Sequence, residues 1–250
     1  MHMNDAFGHH KMLHCTYQHH EQACAMAAEA YARLGNKMAA VCVTTGPGAT
    51  NAITGVLGAW MDSIPMLVFS GQARYATTVS ASGLPLRSMG VQECNIVPVV
   101  KSLTKYAHMI VHPENIRYHL EKALYLAVNG RPGPVWLDIP LDVQGAVIET
   151  DDLKAYDPEE NPEQQPREIK DETVEQILDK LQESKRPVLS PGNGVRLAGA
   201  HEDFYQLAEL LGVPVVTGMS SVDAIESDHP LFVGRSGGTG TRPGNFALQN

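Results

Sequence analysis

Two stretches of the chain carry residue types suited to chemistry. His19-His20-Glu21-Gln22-Ala23 sets an acid at the head of an alanine-rich segment. A helix macrodipole favours a carboxylate at its N-terminus by about 0.3–1 kcal/mol, so a plain helix-start role and a general acid–base role both fit Glu21. Thr44-Thr45-Gly46-Pro47-Gly48-Ala49-Thr50-Asn51 reads as a glycine turn between a strand and a helix. It matches neither G-x-x-x-x-G-K-[ST] nor G-x-G-x-x-G, so the phosphate-loop fingerprints are excluded. A close backbone approach to a flat ligand and a merely structural turn both stay open. His9, His10, His14, His19, His20 and Cys15 crowd the start of the chain. Their spacing follows no zinc pattern, so no metal site is read there.

These residues need elements to hold them. Glu21 to Leu34 has a helix-forming composition, and Gly35 supplies the stop. Ala39 to Thr44 is a short apolar run, a buried strand. Ala49 to Trp60 reads as a helix in which Gly55 and Gly58 permit close approach of a neighbour. Pro65 to Ser70 is a second strand, closed by Gly71. Pro113 opens a helix running to about Val128, whose Leu120, Ala123, Leu124 and Ala127 recur at core spacing, and Pro134 to Ile139 is another strand. Alternating strands and helices predict an α/β fold, a mainly parallel sheet with helices on both faces. A second α/β unit follows: helix at Thr173 to Gln182, strand at Pro187 to Ser190, turn at Gly192-Asn193-Gly194, helix at His201 to Leu211, strand at Val213 to Thr217. Its last stretches are a glycine-rich loop, Gly234 to Gly244, and the opening turns of a helix at Asn245, so this second domain reads as incomplete.

The 250 residues (27.1 kDa) are 43% hydrophobic and 19% charged, an ordinary globular composition. Acidic residues outnumber basic ones 28 to 19, for a net charge of −9, which argues against a nucleic-acid partner. Between Glu149 and Glu183 stand 13 acids and 4 bases, an excess equal to the net charge of the whole chain. With Pro158, Pro162 and Pro166 in it, the stretch 149–170 reads as a solvated interdomain linker. The expected organisation is a first domain at 1–148, the linker, and a partial second domain at 171–250. No apolar run reaches the ~18 residues of a membrane span, and Met1-His2-Met3-Asn4-Asp5 is not a signal peptide. The 4 cysteines lack C-x-x-C spacing and read as free thiols in a reducing cytoplasm.

Taken in order, His20-Glu21-Gln22, Thr45-Gly46-Pro47-Gly48-Ala49-Thr50-Asn51, Asp62-Ser63-Ile64-Pro65-Met66, Ser70-Gly71-Gln72, Thr104-Lys105 and Gly130-Arg131-Pro132-Gly133-Pro134-Val135 form a joint pattern. It resembles the pyrimidine-binding domain of the thiamine-diphosphate enzymes, and among them the large subunit of acetohydroxyacid (acetolactate) synthase. The resemblance covers Asp5 to about Gln144 and continues from Arg186 onward as the family's central domain. It implies a catalytic Glu21 that hydrogen-bonds N1′ of the cofactor's aminopyrimidine and favours the imino tautomer, whose nitrogen takes the proton from thiazolium C2. That carbon then attacks a 2-oxo acid. Desolvation of Glu21 is expected to raise its pKa and suit it to proton exchange. The resemblance further implies that Pro47, Gly48 and Asn51 line the pyrimidine pocket and that Gln72 lies near the reacting carbons. Lys101, ahead of Ser102-Leu103-Thr104-Lys105, falls in the region that approaches FAD, where synthases tend to carry arginine. Gly192, Gly194 and Gly237 fall in turns able to approach a nucleotide or to act as plain turns.

Mg²⁺ and the cofactor's diphosphate are held in the family by a Gly-Asp-Gly motif of a third domain, and no Gly-Asp-Gly occurs in this chain. The expected protein is thus part of a cytoplasmic, homo-oligomeric enzyme acting on a small 2-oxo acid, with a companion chain as one source of the diphosphate site. Within the family the alternative is a 2-oxo acid or oxalyl-CoA-type decarboxylase, which dispenses with FAD or replaces it with ADP. Outside catalysis the alternative is a nucleotide-binding module of the same fold.

Overall fold

The structure is a computed structural model that describes residues 1–165 and 168–250. Pro166, the last of the three linker prolines, and Arg167 lie outside the described residues. The chain divides into two compact units, Met1–Pro166 and Arg167–Asn250. Among the described residues no helix is long and apolar enough to cross a membrane.

Unit 1 is built on a parallel sheet of β1 (Ala39–Val43), β2 (Met66–Gln72), β3 (Tyr106–Met109) and β4 (Pro134–Pro140), in the order β1-β2-β4-β3. Val41 pairs with Val68, and Val68 with Trp136. All three are fully buried, as expected of a parallel sheet covered on both faces. The helices are α1 (His2–His9), α2 (Glu21–Gly35), α3 (Pro47–Asn51), α4 (Ile53–Asp62), α5 (Val79–Ser82), α6 (Ile96–Val100), α7 (Ile116–Val128) and α8 (Leu141–Gln144). One face of the sheet packs Leu67, Phe69, Leu137 and Ile139 against Ala123, Leu126 and Ala127 of α7. Because the strands are parallel, the segments leaving β1, β2 and β4 gather at one edge, the edge where open α/β sheets bind ligands.

Several sequence expectations shift. The helix expected from Ala49 to Trp60 is divided at Ala52 into α3 and α4. Gly55 does allow a close approach, since a Cβ there would stand 2.6 Å from the Cβ of Ala25 in α2. Gly58 faces open space instead. Strand β3 is not legible in the sequence, because Tyr-Ala-His-Met has neither an apolar run nor clean alternation. The acidic stretch after Glu149 is not solvated throughout. Tyr156 is buried, its ring edge-on to Tyr118 and tilted on Tyr125 of α7, and its backbone N–H donates to Glu121 Oε2 at 2.8 Å. One aromatic ring outweighs the acids around it, which need only point outward.

Unit 2 holds α9 (Asp171–Glu183), α10 (Gly194–Leu197), α11 (His201–Leu211), β5 (Val215–Thr217), β6 (Phe232–Arg235) and α12 (Arg242–Gln249). β5 and β6 pair in parallel, and Ala208, Val215 and Ile225 form the centre of a small core. The strand expected at Pro187 to Ser190 contracts to one bridge, Leu189 to Val215. Prolines at 187 and 191 remove the amides that a longer ladder needs. β6 overlaps the expected glycine-rich loop only at Gly234 and Arg235, and its first two residues, Phe232 and Val233, are too short an apolar run to announce a strand.

Candidate functional site

At the carboxyl edge of unit 1, Glu21 is the first residue of α2, and His20 caps the helix by accepting the Gln22 N–H on Nδ1 at 3.1 Å. The turn after β1 brings α3 alongside. Asn51 Nδ2 donates to Glu21 Oε2 at 3.1 Å, joining residues thirty positions apart. A Cβ on Gly48 would stand 2.6 Å from Thr44 Cγ2 and 3.3 Å from Glu21 Oε1, so glycine there leaves open the space beside the carboxylate. Gly46 has φ +55°, and a Cβ on it would meet Gln92 O at 2.0 Å. Only glycine satisfies both demands. Pro47 opens α3, where its missing N–H costs nothing.

The Glu21 carboxyl is held below the usual carboxylate range, chiefly by the Asn51 hydrogen bond and then by its own backbone N–H, which together outweigh desolvation. The expected upward shift is therefore corrected. The side chain is only partly covered in this chain, and donors aimed at a carboxylate favour the charged form.

Gln72 is buried at the end of β2 with its whole amide engaged. Oε1 accepts from Thr45 Oγ1 at 2.7 Å and from the Ala73 N–H at 2.9 Å. Nε2 donates to Asp138 Oδ2 at 3.0 Å and to Cys94 O at 2.8 Å. Asp138 in turn accepts from Ser70 Oγ at 2.6 Å, and Ser70 accepts from Trp136 Nε1 at 2.8 Å. Gln72 thus stands at the turn as a support beneath Thr45. Asp138 and Glu93 were not singled out from the sequence. Asp138 had a legible signal, a carboxylate inside the apolar run Pro134 to Ile139, where unpaired charges are rare. Glu93 had none. Its carboxylate accepts the N–H groups of Val79, Met89 and Gly90 at 2.6, 2.7 and 3.1 Å and folds the segment after β2 over the Gly46 turn.

Lys101 sits exposed just past the end of α6. Lys105 of the same motif is half-buried, donates to Asn129 O at 2.5 Å, and is pulled down to about 8 by burial. The 4 cysteines are free thiols, with Cys42 pushed up to about 11 by burial. Among the described residues no group of three or more His, Cys, Asp or Glu side chains could hold a metal ion.

In unit 2 the glycines separate into two sets. Gly240 and Gly244 are required by the chain itself, because a Cβ on either would meet Arg235 backbone atoms at 2.5 and 2.4 Å. Gly192, Gly194 and Gly237 would meet nothing within 4 Å. Gly237 has φ +101° and is clasped by Asn245, whose Oδ1 accepts its N–H at 2.9 Å. The hydroxyl of Thr217, at the carboxyl end of β5, is buried and has no hydrogen-bond partner among the described residues.

Residues 1–93 match the family description "Thiamine pyrophosphate enzyme, N-terminal TPP binding domain", and residues 174–250 match "Thiamine pyrophosphate enzyme, central domain". The chain is 37% identical over 235 residues to the acetolactate synthase large subunit of Corynebacterium glutamicum, covering 92% of this chain and 35% of the relative. It is 35% identical over 230 residues to the acetolactate synthase large subunit of Lactococcus lactis (92% and 38%). To the acetolactate synthase isozyme 3 large subunit of Escherichia coli it is 33% identical over 238 residues (92% and 39%). The chain spans well under half the length of these curated relatives.

Proposed function

The chain belongs to the thiamine pyrophosphate enzyme family, and from that premise we propose that it supplies the pyrimidine-binding domain and part of the central domain of an acetolactate-synthase-like enzyme. The reaction is decarboxylation of a 2-oxo acid, pyruvate, and ligation of the remaining carbons to an acceptor. The observation that carries this reading is the Glu21 carboxylate, held by Asn51 beside the gap over Gly48. That gap and that acid fit the edge of an aminopyrimidine. Thiamine diphosphate, when bound, supplies the nucleophilic carbon and the electron sink for decarboxylation.

The chain's own residues hold and move the proton. Glu21 exchanges it at N1′. A flat ring seated against the carboxylate would exclude water and raise its proton affinity from the low value set by Asn51, as proton exchange near neutral pH requires. Pro47, Gly48 and Asn51 line the ring's place, and Gln72, which the resemblance sets near the reacting carbons, has its whole amide engaged within the chain and acts there through Thr45. Among the described residues none form a cluster that fits a Mg²⁺ site, so no step is assigned to a metal on these residues. For unit 2 we place a nucleotide, FAD by resemblance to the synthases, over Gly192, Gly194 and Gly237, where open space and the unpartnered Thr217 hydroxyl support it. Lys101 is assigned to the same ligand by its motif alone. A partner subunit is supported by the exposed apolar side chains of Met26 in α2 and Leu57, Trp60 and Met61 in α4.

The test is Glu21→Gln in the complete enzyme. It keeps shape and loses proton exchange, so kcat for pyruvate should fall by at least ~10²-fold, with cofactor affinity changed much less. A variant with near wild-type kcat would overturn the reading.

A further inference from the structure

We propose that Asp138 is a positioning residue: as a carboxylate it completes a buried hydrogen-bond network running through Gln72 and Thr45 to the Gly46–Asn51 turn, so that its ionisation is felt beside Glu21. The functional part of this presupposes Glu21 as the proton-exchanging acid; the network itself does not.

The register pairs Ser70 with Asp138 across β2 and β4. Gln72 and Trp136, each two residues along its own strand, share that face. Every hydrogen in the network has an acceptor. Trp136 Nε1 donates to Ser70, Ser70 to Asp138 Oδ1, and Gln72 Nε2 to Asp138 Oδ2 and Cys94 O. Thr45 Oγ1 and the Ala73 N–H both donate to Gln72 Oε1. One further hydrogen, on Asp138, has no place. On Oδ1 it would turn to Ser70 and leave the Ser70 hydroxyl hydrogen without an acceptor. On Oδ2 it would face the Gln72 NH₂ and force the amide over. The NH₂ would then oppose the Ala73 N–H, and Thr45 would keep only Gln92 O, 3.4 Å away.

Thr45 is where the change leaves the core. Its carbonyl accepts the Gly48 N–H at 3.3 Å, Gly46 O accepts the Thr50 N–H at 2.9 Å, and Asn51 closes the segment on Glu21. Opposing the network is solvation. Asp138 is completely buried, and its facing groups are Ser70 and Gln72 of β2, Trp136 of β4, Met109 opposite in β3, and Cys94 of the loop after β2. Cys94 is the titratable one among these neighbours, its thiol pushed up by burial first and then by Asp138 and Glu93. Desolvation wins over the Ser70 and Gln72 hydrogen bonds and lifts the Asp138 carboxyl to about 6. The network asks for a charge that burial resists, so the balance tips close to neutral pH.

The test uses the 250-residue chain without cofactor, following the side-chain amide resonances of Gln72 and Asn51 and the Asp138 carboxyl carbon by NMR across pH. Gln72 and Asn51 should move together with the Asp138 midpoint, distinct from the lower midpoint of Glu21. Asp138→Asn should abolish that step in both amides. Thr45→Val, which leaves Asp138 and Gln72 in place, should keep the step in Gln72 and remove it from Asn51. An Asn51 step that persists in either variant, or a wild-type Asn51 that ignores the Asp138 midpoint, overturns the proposal. Should Asp138→Asn fail to fold, the Thr45→Val comparison decides alone. None of these signals involves the cofactor, so their failure leaves the reading of Glu21 to be judged by Glu21→Gln.

Discussion

At the scale of single residues, the site depends on groups held in place by others. Gly46 is the sharpest case, since any side chain there meets both a left-handed φ and the carbonyl of Gln92. Gly46→Ala should lower stability by about 1–3 kcal/mol, the cost of strain at a special backbone conformation, and denaturant unfolding measures it. Asp138 gives a pH signature. Its carboxyl holds a proton more tightly folded than unfolded, with a folded value near 6 against an ordinary 3.8. Between those values the folded state carries the extra proton, so this group's contribution is full below pH ~4 and is lost as pH rises to ~6, by about 3 kcal/mol. His119, held down to about 4 by burial, works in the opposite sense over the same range, so the signature is read by difference: the unfolding free energy of Asp138→Asn should rise more steeply with pH across that window than that of the parent.

At the scale of elements, α4 contains its own control. Gly55 touches Ala25 of α2, whereas Gly58 faces open space. Gly55→Ala overpacks a tight crossing and should cost about 1–3 kcal/mol. Gly58→Ala gains helix propensity and should be neutral or stabilising by up to about 1 kcal/mol. A thermal melt of each variant separates the two outcomes, and equal effects would mean the helices do not cross as described. The strip after Glu149 is an element of another kind. Lys122 of α7 lies 5.3 Å from the Tyr156 ring centre and 5.4 Å from that of Tyr118, and it pairs with Glu160 at 3.5 Å. Arg117 adds a bond to Leu153 O at 3.3 Å. Removing the Tyr156 ring takes out the buried anchor, so Tyr156→Ala should release the strip. Limited proteolysis should then cut between 149 and 165 much faster than in the parent.

At the scale of the molecule, the two units are unequal. Unit 1 encloses a four-stranded sheet with Trp136, Met66, Ile64 and Ile110 fully buried, while the buried core of unit 2 centres on Ala208, Val215 and Ile225. Apolar burial contributes about 25 cal/mol per Å², so the larger core should open last. We expect calorimetry to show two transitions rather than one. Amide exchange should be slowest in β1, β2 and β4 and faster throughout 168–250. A single transition with uniform protection would mean that the units unfold as one.

What the sequence by itself determined was local or periodic. The alanine-rich helix at Glu21, the apolar strands at Ala39 and Pro134, and the glycine turn at Gly46 each follow from propensities that act within a few residues. The ordered motifs from His20 to Val135 were enough to indicate the family. Tertiary structure alone decided whatever depends on residues far apart in the chain. The pairing of Ser70 with Asp138 brings a carboxylate under Gln72, and Asn51 reaches Glu21 only because α3 folds back beside α2. β3 was invisible because its place at the sheet edge comes from β4, not from its own alternation. Tyr156 turned a stretch that reads as linker into a docked strip because α7 offers it a wall of tyrosines. A pKa follows the same rule, since Glu21 and Asp138 are both carboxyl groups and only their three-dimensional surroundings send one below the usual range and the other above it.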